Sequence, residues 1–118
     1  MFLLMRSHYL LQDYTLLVVN YRGSNSYGAD FLDSLLGKIS DYDVHDCGQL
    51  TLKALDHFKS IIDPSRLAVY GGSHGGYLTG WLIGHPDYCH LWKAAVLWNP
   101  VINMSYMLAS TDIPDWIY

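Results

Sequence analysis

Residues 70–77 read YGGSHGGY and hold Ser73 in the pattern G-x-S-x-G. A short apolar run, Leu67 to Tyr70, precedes the pattern, and a helix-like run from Tyr77 to His85 follows it. In a nucleophile elbow a strand turns sharply into a helix, and the serine at the turn exposes its hydroxyl from a strained backbone. We therefore interpret this stretch as an elbow with Ser73 as the candidate nucleophile.

The neighbours of Ser73 match the needs of such a turn. Two residues before and two after the serine, the backbones of an elbow pass too close for a Cβ atom, and Gly71 and Gly75 supply the space. The backbone N–H of His74 would open the following helix, where partial positive charge collects. That N–H is the candidate donor to the oxyanion that forms when Ser73 attacks a carbonyl.

The surroundings favour the elbow over a plain structural turn. Pro64 ends the preceding helix-like run and Pro86 ends the following one, which leaves a strand, a turn and a helix between them. The phosphate-binding alternatives fit less well. A Walker loop needs Lys and then Ser or Thr after its last glycine, where this chain has Tyr77 and Leu78. A dinucleotide fingerprint needs glycine in place of Ser73.

The composition suits one modest α/β domain. With 118 residues the chain is long enough for a single domain, and 51% of its residues are hydrophobic while only 15% are charged. This balance is typical of strands that are buried on both faces of a parallel sheet. The formal net charge of −4 and the lack of a Lys or Arg run argue against binding to nucleic acid.

The cysteines and the apolar segments bear on cellular location. Cys47 and Cys89 make no disulfide framework, and we expect both to be free thiols. Arg6 and His8 interrupt the apolar start before a signal peptide could form. No segment reaches the ~20 apolar residues of a membrane-spanning helix. We expect a soluble, cytoplasmic protein with no membrane contact.

The first half of the chain predicts a helix, a strand and a second helix. Residues 2–11 carry leucines at near-helical spacing, and residues 14–21, YTLLVVNY, form a nearly continuous apolar run typical of a central parallel strand. Ser40 with Asp43 resembles a capping box. Apolar residues three or four positions apart between 44 and 61 then predict a long amphipathic helix.

The second half predicts a strand, a helix and a further strand. Residues 66–70 form the strand before the elbow, residues 77–85 the helix after it, and residues 94–98, AAVLW, another buried strand. No periodic element is evident in residues 99–118. Strands that alternate with helices indicate an α/β fold, with a parallel sheet and helices on both of its faces.

A catalytic serine needs a base and a third group that orients the base. In the α/β-hydrolase order, an acid and then a histidine follow the serine. His85 and His90 lie at the far end of the elbow helix, roughly 15 Å away by the rise of a helix. No histidine follows Asp112 or Asp115. The chain therefore carries the nucleophile without an evident base, and we assign the His74 ring a packing role.

Two short clusters hold residue types that bind zinc. They are His45-Asp46-Cys47 and Cys89-His90, and neither shows C-x-x-C or H-x-x-x-H spacing. We therefore predict no metal site and no cofactor. The four tryptophans and ten tyrosines are better explained by packing than by an aromatic binding surface.

Several motifs together resemble the acylaminoacyl-peptidase branch of the prolyl oligopeptidase family. They are NYRGS at 20–24 followed by YG at 27–28, GGSHGG at 71–76, NPVIN at 99–103 and STDIPDW at 110–116. The last three motifs are more specific to the branch than the first. The resemblance runs from about residue 14 to the last residue.

The resemblance implies an α/β-hydrolase fold with Ser73 as nucleophile and the His74 N–H as one oxyanion donor. It implies release of an N-acylated amino acid from a blocked peptide through an acyl-enzyme, by a cytosolic homo-oligomer without metal or organic cofactor. The family's β-propeller, its upstream His-Gly-Gly-Pro loop and its catalytic Asp and His have no counterpart in residues 1–118. The strand before that loop normally lies between the strands predicted at 14–21 and 66–70.

Our hypothesis is that residues 1–118 are a fragment of an α/β-hydrolase catalytic domain of the S9 peptidase type. It would be a partial fold that is nearly inactive in isolation. Two alternatives stay open. One is another prolyl-oligopeptidase-type peptidase or an esterase, and the other is a non-catalytic product of the same family that binds a partner or the full-length enzyme.

Overall fold

Helices and one parallel pair of strands are the regular elements of residues 2–113, the part of the chain that this computed structural model describes. They fall into two units, residues 1–64 and residues 65–118. The first unit is helical, and the second holds both strands. None of the helices between residues 2 and 113 combines the length and the apolar character needed to cross a bilayer.

Three α-helices lie among the described residues of the first unit. They are α1 (Phe2–Leu11), α2 (Ala29–Asp33) and α3 (Tyr42–His57). The helix predicted over residues 2–11 is confirmed, and it ends where the N–H groups of Gln12 and Tyr14 both bond to the carbonyl of Tyr9. Helix α2 was not predicted, because its five residues are too few to show a helical period.

Helix α3 supplies much of the buried core of this unit. Val44 is only 1% exposed, so the predicted apolar stripe faces inward at the start of the helix. Asp43 Oδ1 accepts the N–H of Ser40 at 2.8 Å, which is the contact expected of the acidic residue in the predicted capping box. The helix ends at His57, short of the predicted end. The N–H groups of Ile61 and Ile62 both donate to the carbonyl of Phe58, which forms a separate turn after the helix.

The strand predicted over residues 14–21 is wrong, because this segment pairs with no other strand among residues 2–113. A β-strand exists only through the ladder that it forms with a neighbour, and apolar composition alone does not supply one. Residues 17–20 instead line an open groove of about 310 Å³. The other side of the groove includes Leu50 and Ala54 of α3 and Phe58, the residue that follows the helix. The apolar run is thus partly covered by the helix, and Leu17 stays 51% exposed.

Asp46 on α3 fixes the loop that follows this segment. Its carboxylate accepts three N–H groups of Arg22, the backbone N–H at 2.9 Å, Nε at 2.8 Å and Nη2 at 2.7 Å. The Arg22 guanidinium also lies over the ring of Tyr42, 3.8 Å from its centroid. Burial raises the pKa of Asp46, but the hydrogen bonds and charge of Arg22 outweigh burial and hold the pKa below its ordinary value of 3.8. A charged, bidentate contact therefore ties the loop to α3.

We expect Asp46→Asn to lower the free energy of unfolding by about 1–2 kcal/mol at pH 7. The loss stays in this range because the Arg22 side chain is 34% exposed, so that water screens part of the interaction. Folding lowers the pKa of Asp46, so its contribution is present above 3.8 and is lost as the pH falls through the lower folded-state value. Urea unfolding at pH 7 and pH 3 should therefore show a smaller difference between the two proteins at pH 3.

The matched control is Asp56→Asn, on the exposed side of the same helix. It should change the free energy of unfolding by less than about 0.5 kcal/mol at either pH. Equal losses for Asp46→Asn and Asp56→Asn at pH 7 would show that the contact with Arg22 contributes nothing to stability.

The second unit is built around one helix and two strands. Its elements are β1 (Ala68–Gly72), α4 (His74–Gly84), β2 (Ala94–Trp98) and α5 (Met104–Ser110). The strands are parallel, with Ala68 opposite Ala94 and Gly72 opposite Trp98. Helix α4 packs against both strands and buries two leucines, Leu78 and Leu82, each 4% exposed.

Three of these elements were predicted and one was missed. The strands expected at 66–70 and 94–98 and the helix after the elbow are confirmed, although β1 runs from Ala68 to Gly72 and α4 already begins at His74. The expected burial is wrong for β2, where four of the five residues are exposed, because a two-stranded sheet with one covered face leaves its strands accessible. Helix α5 lies where no element was expected. Its sequence signal is Asn103, a favoured N-cap residue, whose side chain accepts the N–H of Tyr106 at 2.8 Å.

One face of the two-stranded sheet is open. Tyr70, Val96 and Trp98 share that face by the alternation of side chains, and they are 36%, 55% and 48% exposed. Helix α4 covers the opposite face, where Gly80 approaches Leu97. The predicted parallel arrangement is confirmed, and a helix covers one face of the sheet in residues 65–113.

Candidate active site

Ser73 occupies the turn between β1 and α4. It is the N-cap of α4 and has φ 56° and ψ −120°, a backbone conformation that residues other than glycine rarely adopt. Ser73 is exposed, whereas Gly71 and Gly76 on either side of it are buried. A serine thus stands in strained geometry at a strand-to-helix turn, which is the arrangement of a nucleophile elbow.

Three backbone hydrogen bonds hold this conformation. The N–H of Ser73 donates to the carbonyl of Trp98 at 3.0 Å, which ties the elbow to the end of β2. The carbonyl of Ser73 accepts the N–H of Tyr77 at 3.0 Å and the N–H of Val101 at 3.5 Å. Because both polar backbone groups are engaged, α4, β2 and the loop after β2 jointly fix the serine.

Gly71 and Gly76 provide the space around the elbow. A Cβ atom on Gly71 would lie 2.0 Å from the carbonyl oxygen of Gly75, so the predicted close approach of these two backbones is present. A Cβ atom on Gly76 would lie 2.9 Å from Cα of Pro100. A Cβ atom on Gly75 would meet nothing within 4 Å among the described residues outside its own helix. The crowding that we expected at Gly75 therefore falls on Gly76, because Gly75 faces Gly71 with its carbonyl group.

His74 is the first residue of α4 and directly follows the candidate nucleophile. Its N–H belongs to the first helical turn, where the helix dipole places partial positive charge. That position is the one required of the predicted oxyanion donor, whose catalytic role stays a prediction. The imidazole ring stacks on Tyr77, with 5.5 Å between ring centroids and 27° between planes, which gives the ring a packing role.

The other histidines of the second unit lie far from the elbow. His85 is the C-cap of α4 and Ser73 is its N-cap, so the rise of the helix separates them by about 18 Å. Its Nδ1 accepts the N–H of Asp87 at 3.2 Å. His90 precedes β2, at the end of the parallel sheet opposite to the elbow. Neither ring is placed to take a proton from Ser73, and the candidate acid Asp115 lies outside the described residues.

Two of the residues weighed for a metal site, Asp46 and Cys47, are poorly suited to bind a metal. The carboxylate of Asp46 is bound by Arg22. Burial, together with the charges of Asp43 and Asp46, raises the pKa of Cys47 to about 12, whereas a metal ligand must be a thiolate. Within residues 2–113 no three side chains of His, Cys, Asp or Glu gather as a possible metal site.

Three supporting residues of the elbow were not identified from the sequence. They are Gly76, Pro100 and Thr79, whose Oγ1 donates to the carbonyl of Gly75 at 2.9 Å. Asn99 has φ 47° and turns the chain directly after β2, and Pro100 then lies against Gly76. The usable signal for this contact was an Asn-Pro pair after a buried strand. The signal for Thr79 was a β-branched hydroxyl residue within a helix that is otherwise rich in glycine and apolar residues.

Sequence comparisons give a matching family profile and several similar proteins. The sequence profile described as the prolyl oligopeptidase family matches residues 3–118. The chain is 52% identical over 108 residues to the acylamino-acid-releasing enzyme of Arabidopsis thaliana, which covers 89% of this chain and 13% of that enzyme. It is 45% identical over 105 residues to the acylamino-acid-releasing enzyme of Homo sapiens, which covers 87% of this chain and 14% of that enzyme.

A more distant relative is the uncharacterized peptidase YuxL of Bacillus subtilis. It is 34% identical over 107 residues, which cover 87% of this chain and 16% of that protein. The chain thus spans between 13% and 16% of the length of these three relatives. No solved structure matches the chain.

Proposed function

This chain belongs to the prolyl oligopeptidase family, and we propose that Ser73 is the nucleophile of a serine hydrolase that releases N-acylated amino acids from blocked peptides. The observation that carries the proposal is the exposed, strained serine at the turn between β1 and α4, held through both of its backbone groups. The substrate class is taken from the acylamino-acid-releasing enzymes, to which the chain is between 43% and 52% identical.

The proposed reaction has two steps. Ser73 Oγ attacks the carbonyl carbon of the acylated first residue while a base takes the hydroxyl proton, and the His74 N–H donates to the resulting oxyanion. The peptide bond then breaks and the base returns the proton to the leaving amine, so that the N-acyl amino acid remains as an ester on Ser73. Water hydrolyses this ester, releases the N-acyl amino acid and restores the serine.

The proposal requires a base other than His74, His85 and His90. The ring of His74 stacks on Tyr77, and the other two lie away from the elbow. Residues 1–118 alone are expected to be nearly inactive, since a serine hydroxyl without its base is a poor nucleophile. The same proposal includes an α/β-hydrolase sheet with helices on both faces, as the alternation of strands and helices predicts, and a cytoplasmic homo-oligomer, as the resemblance implies.

Paired substrates test the substrate class. The intact native protein is given acetyl-alanyl p-nitroanilide and a dipeptidyl p-nitroanilide with a free amino group. We expect kcat/KM to be at least about 100-fold higher for the acetylated compound, because a site built for a blocked terminus leaves a charged amine unpaired. A preference for the free amine, or hydrolysis of simple esters alone, would replace the proposal with another prolyl-oligopeptidase-type peptidase or an esterase.

A further inference from the structure

Thr79 places a hydroxyl group directly beneath the elbow. The residue is 1% exposed, and its Oγ1 donates a hydrogen bond to the carbonyl of Gly75 at 2.9 Å. A β-branched residue is a modest helix former, and a hydroxyl that bonds the carbonyl four residues earlier slightly destabilises a helix. Valine has nearly the same shape and is the more apolar residue for a buried site, but it cannot donate this hydrogen bond. Packing alone therefore does not account for a hydroxyl at this position.

The carbonyl that Thr79 holds is the one that contacts β1. A Cβ atom on Gly71 would lie 2.0 Å from the carbonyl oxygen of Gly75 and 2.8 Å from Thr79 Oγ1. The hydroxyl, this carbonyl and the backbone of Gly71 thus meet at one point between the strand and the first turn of α4. The hydroxyl fixes the direction of the carbonyl where the strand and the helix approach most closely.

The first turn of α4 needs such a restraint because it contains two consecutive glycines. Pro100 packs closely enough against Gly76 to exclude a Cβ atom there, and Gly75 directly precedes it. Each glycine costs a helix about 1 kcal/mol relative to alanine through its conformational freedom. The same turn carries the His74 N–H, and an oxyanion donor is most effective when it is already fixed before the reaction.

We propose that Thr79 is a positioning residue, whose hydroxyl holds the Gly75 carbonyl and thereby fixes the first turn of α4 with the His74 N–H in place. This inference rests on the proposed function, since it assigns Thr79 to the oxyanion contact of Ser73. Thr79 touches neither the substrate nor the reacting atoms. It acts through the backbone between residues 74 and 76.

Two variants of the intact protein separate positioning from packing. Thr79→Val keeps the shape and removes the hydroxyl, and Thr79→Ser keeps the hydroxyl and removes a methyl group. We expect Thr79→Val to lower kcat on acetyl-alanyl p-nitroanilide about tenfold with KM within about twofold, because an oxyanion contact acts in the transition state. Thr79→Ser should retain kcat within about twofold.

Thermal unfolding should rank the same proteins in a different order. Thr79→Val should lose less in Tm than Thr79→Ser, because valine fills the site and gives up one hydrogen bond, whereas serine leaves a small cavity. A purely structural role predicts that kcat follows stability. Unchanged kcat in Thr79→Val, or an equal loss in Thr79→Ser, would overturn the inference.

Amide hydrogen exchange gives a result that does not depend on the substrate. Exchange of the hydrogen-bonded amides of residues 77–79, the first of which donates to the carbonyl of Ser73, should be about tenfold faster in Thr79→Val than in the native protein and near native in Thr79→Ser. Unchanged exchange in Thr79→Val would overturn the inference even if the enzyme hydrolyses the substrate. If the native protein does not hydrolyse the acetylated substrate but the exchange rates change as expected, the proposed substrate class fails and the positioning of the turn stands.

Discussion

Replacing Ser73 with alanine is expected to abolish covalent labelling by a fluorophosphonate probe and to lower kcat of the intact protein by about 10⁴- to 10⁶-fold. The probe forms a bond to the serine oxygen, so no bond can form once that oxygen is removed. The fold should survive, because the backbone groups of residue 73 make its contacts with Trp98, Tyr77 and Val101. Intact-mass spectrometry of the labelled protein and the rate of hydrolysis measure the two effects.

A second substitution at the same position separates chemistry from backbone strain. Ser73→Gly also lacks the hydroxyl, but glycine adopts φ 56° readily. The glycine relieves a backbone strain of about 1–3 kcal/mol. It also makes the unfolded chain more flexible, which costs about 0.5–1 kcal/mol of stability. We therefore expect Ser73→Gly to be about 1 kcal/mol more stable than Ser73→Ala. Stoichiometric labelling of Ser73→Ala would show that a different residue is the nucleophile.

Gly71→Ala is expected to destabilise the protein by about 3 kcal/mol or more and to remove the reactivity of Ser73 with the probe. The added Cβ atom would lie 2.0 Å from the carbonyl oxygen of Gly75 and 2.8 Å from Thr79 Oγ1. The nearer atom is backbone, so β1 and α4 must move apart. Urea unfolding and probe labelling of the intact protein measure the effect.

Two glycines of helix α4, Gly75 and Gly84, are matched controls for this substitution. A Cβ atom on Gly75 or Gly84 meets no described atom within 4 Å outside the helix, and neither glycine has positive φ. Alanine favours a helix over glycine, so Gly75→Ala and Gly84→Ala should keep or raise the stability by up to about 1 kcal/mol. Gly84→Ala should also keep native probe labelling. A Gly71→Ala protein as stable as these two would refute the close approach of strand and helix.

The elements that the sequence predicted well are those whose partners lie nearby in the chain. The strands at 66–70 and 94–98 and the helix between them form one contiguous β-α-β unit. The spacing of their apolar residues matches the contacts that the three elements make with one another. The strand predicted at 14–21 failed because pairing requires a neighbour, and no described segment pairs with it. The apolar residues at 14–21 indicated that the segment is covered, but they did not specify which element covers it.

The candidate nucleophile was predictable because its requirements are local. Strained geometry at Ser73 and the close approach at Gly71 both arise within one turn, and the G-x-S-x-G pattern records them. Gly76 was missed because its role depends on a tertiary contact. Only the structure shows that Pro100 reaches the helix at Gly76, and that this contact rather than Gly75 sets the second steric limit.

The backbone contacts of Ser73 and the glycine contacts around it come from residues 68–101. If recombination transfers these residues as one block, the contacts of Ser73 with Trp98 and Val101 and the packing of Pro100 on Gly76 are all preserved in the new protein. A crossover between α4 and β2 would instead join a helix from one parent to a loop from another across a contact that leaves no room for a methyl group. Chimeras of family members should therefore place their junctions outside this block.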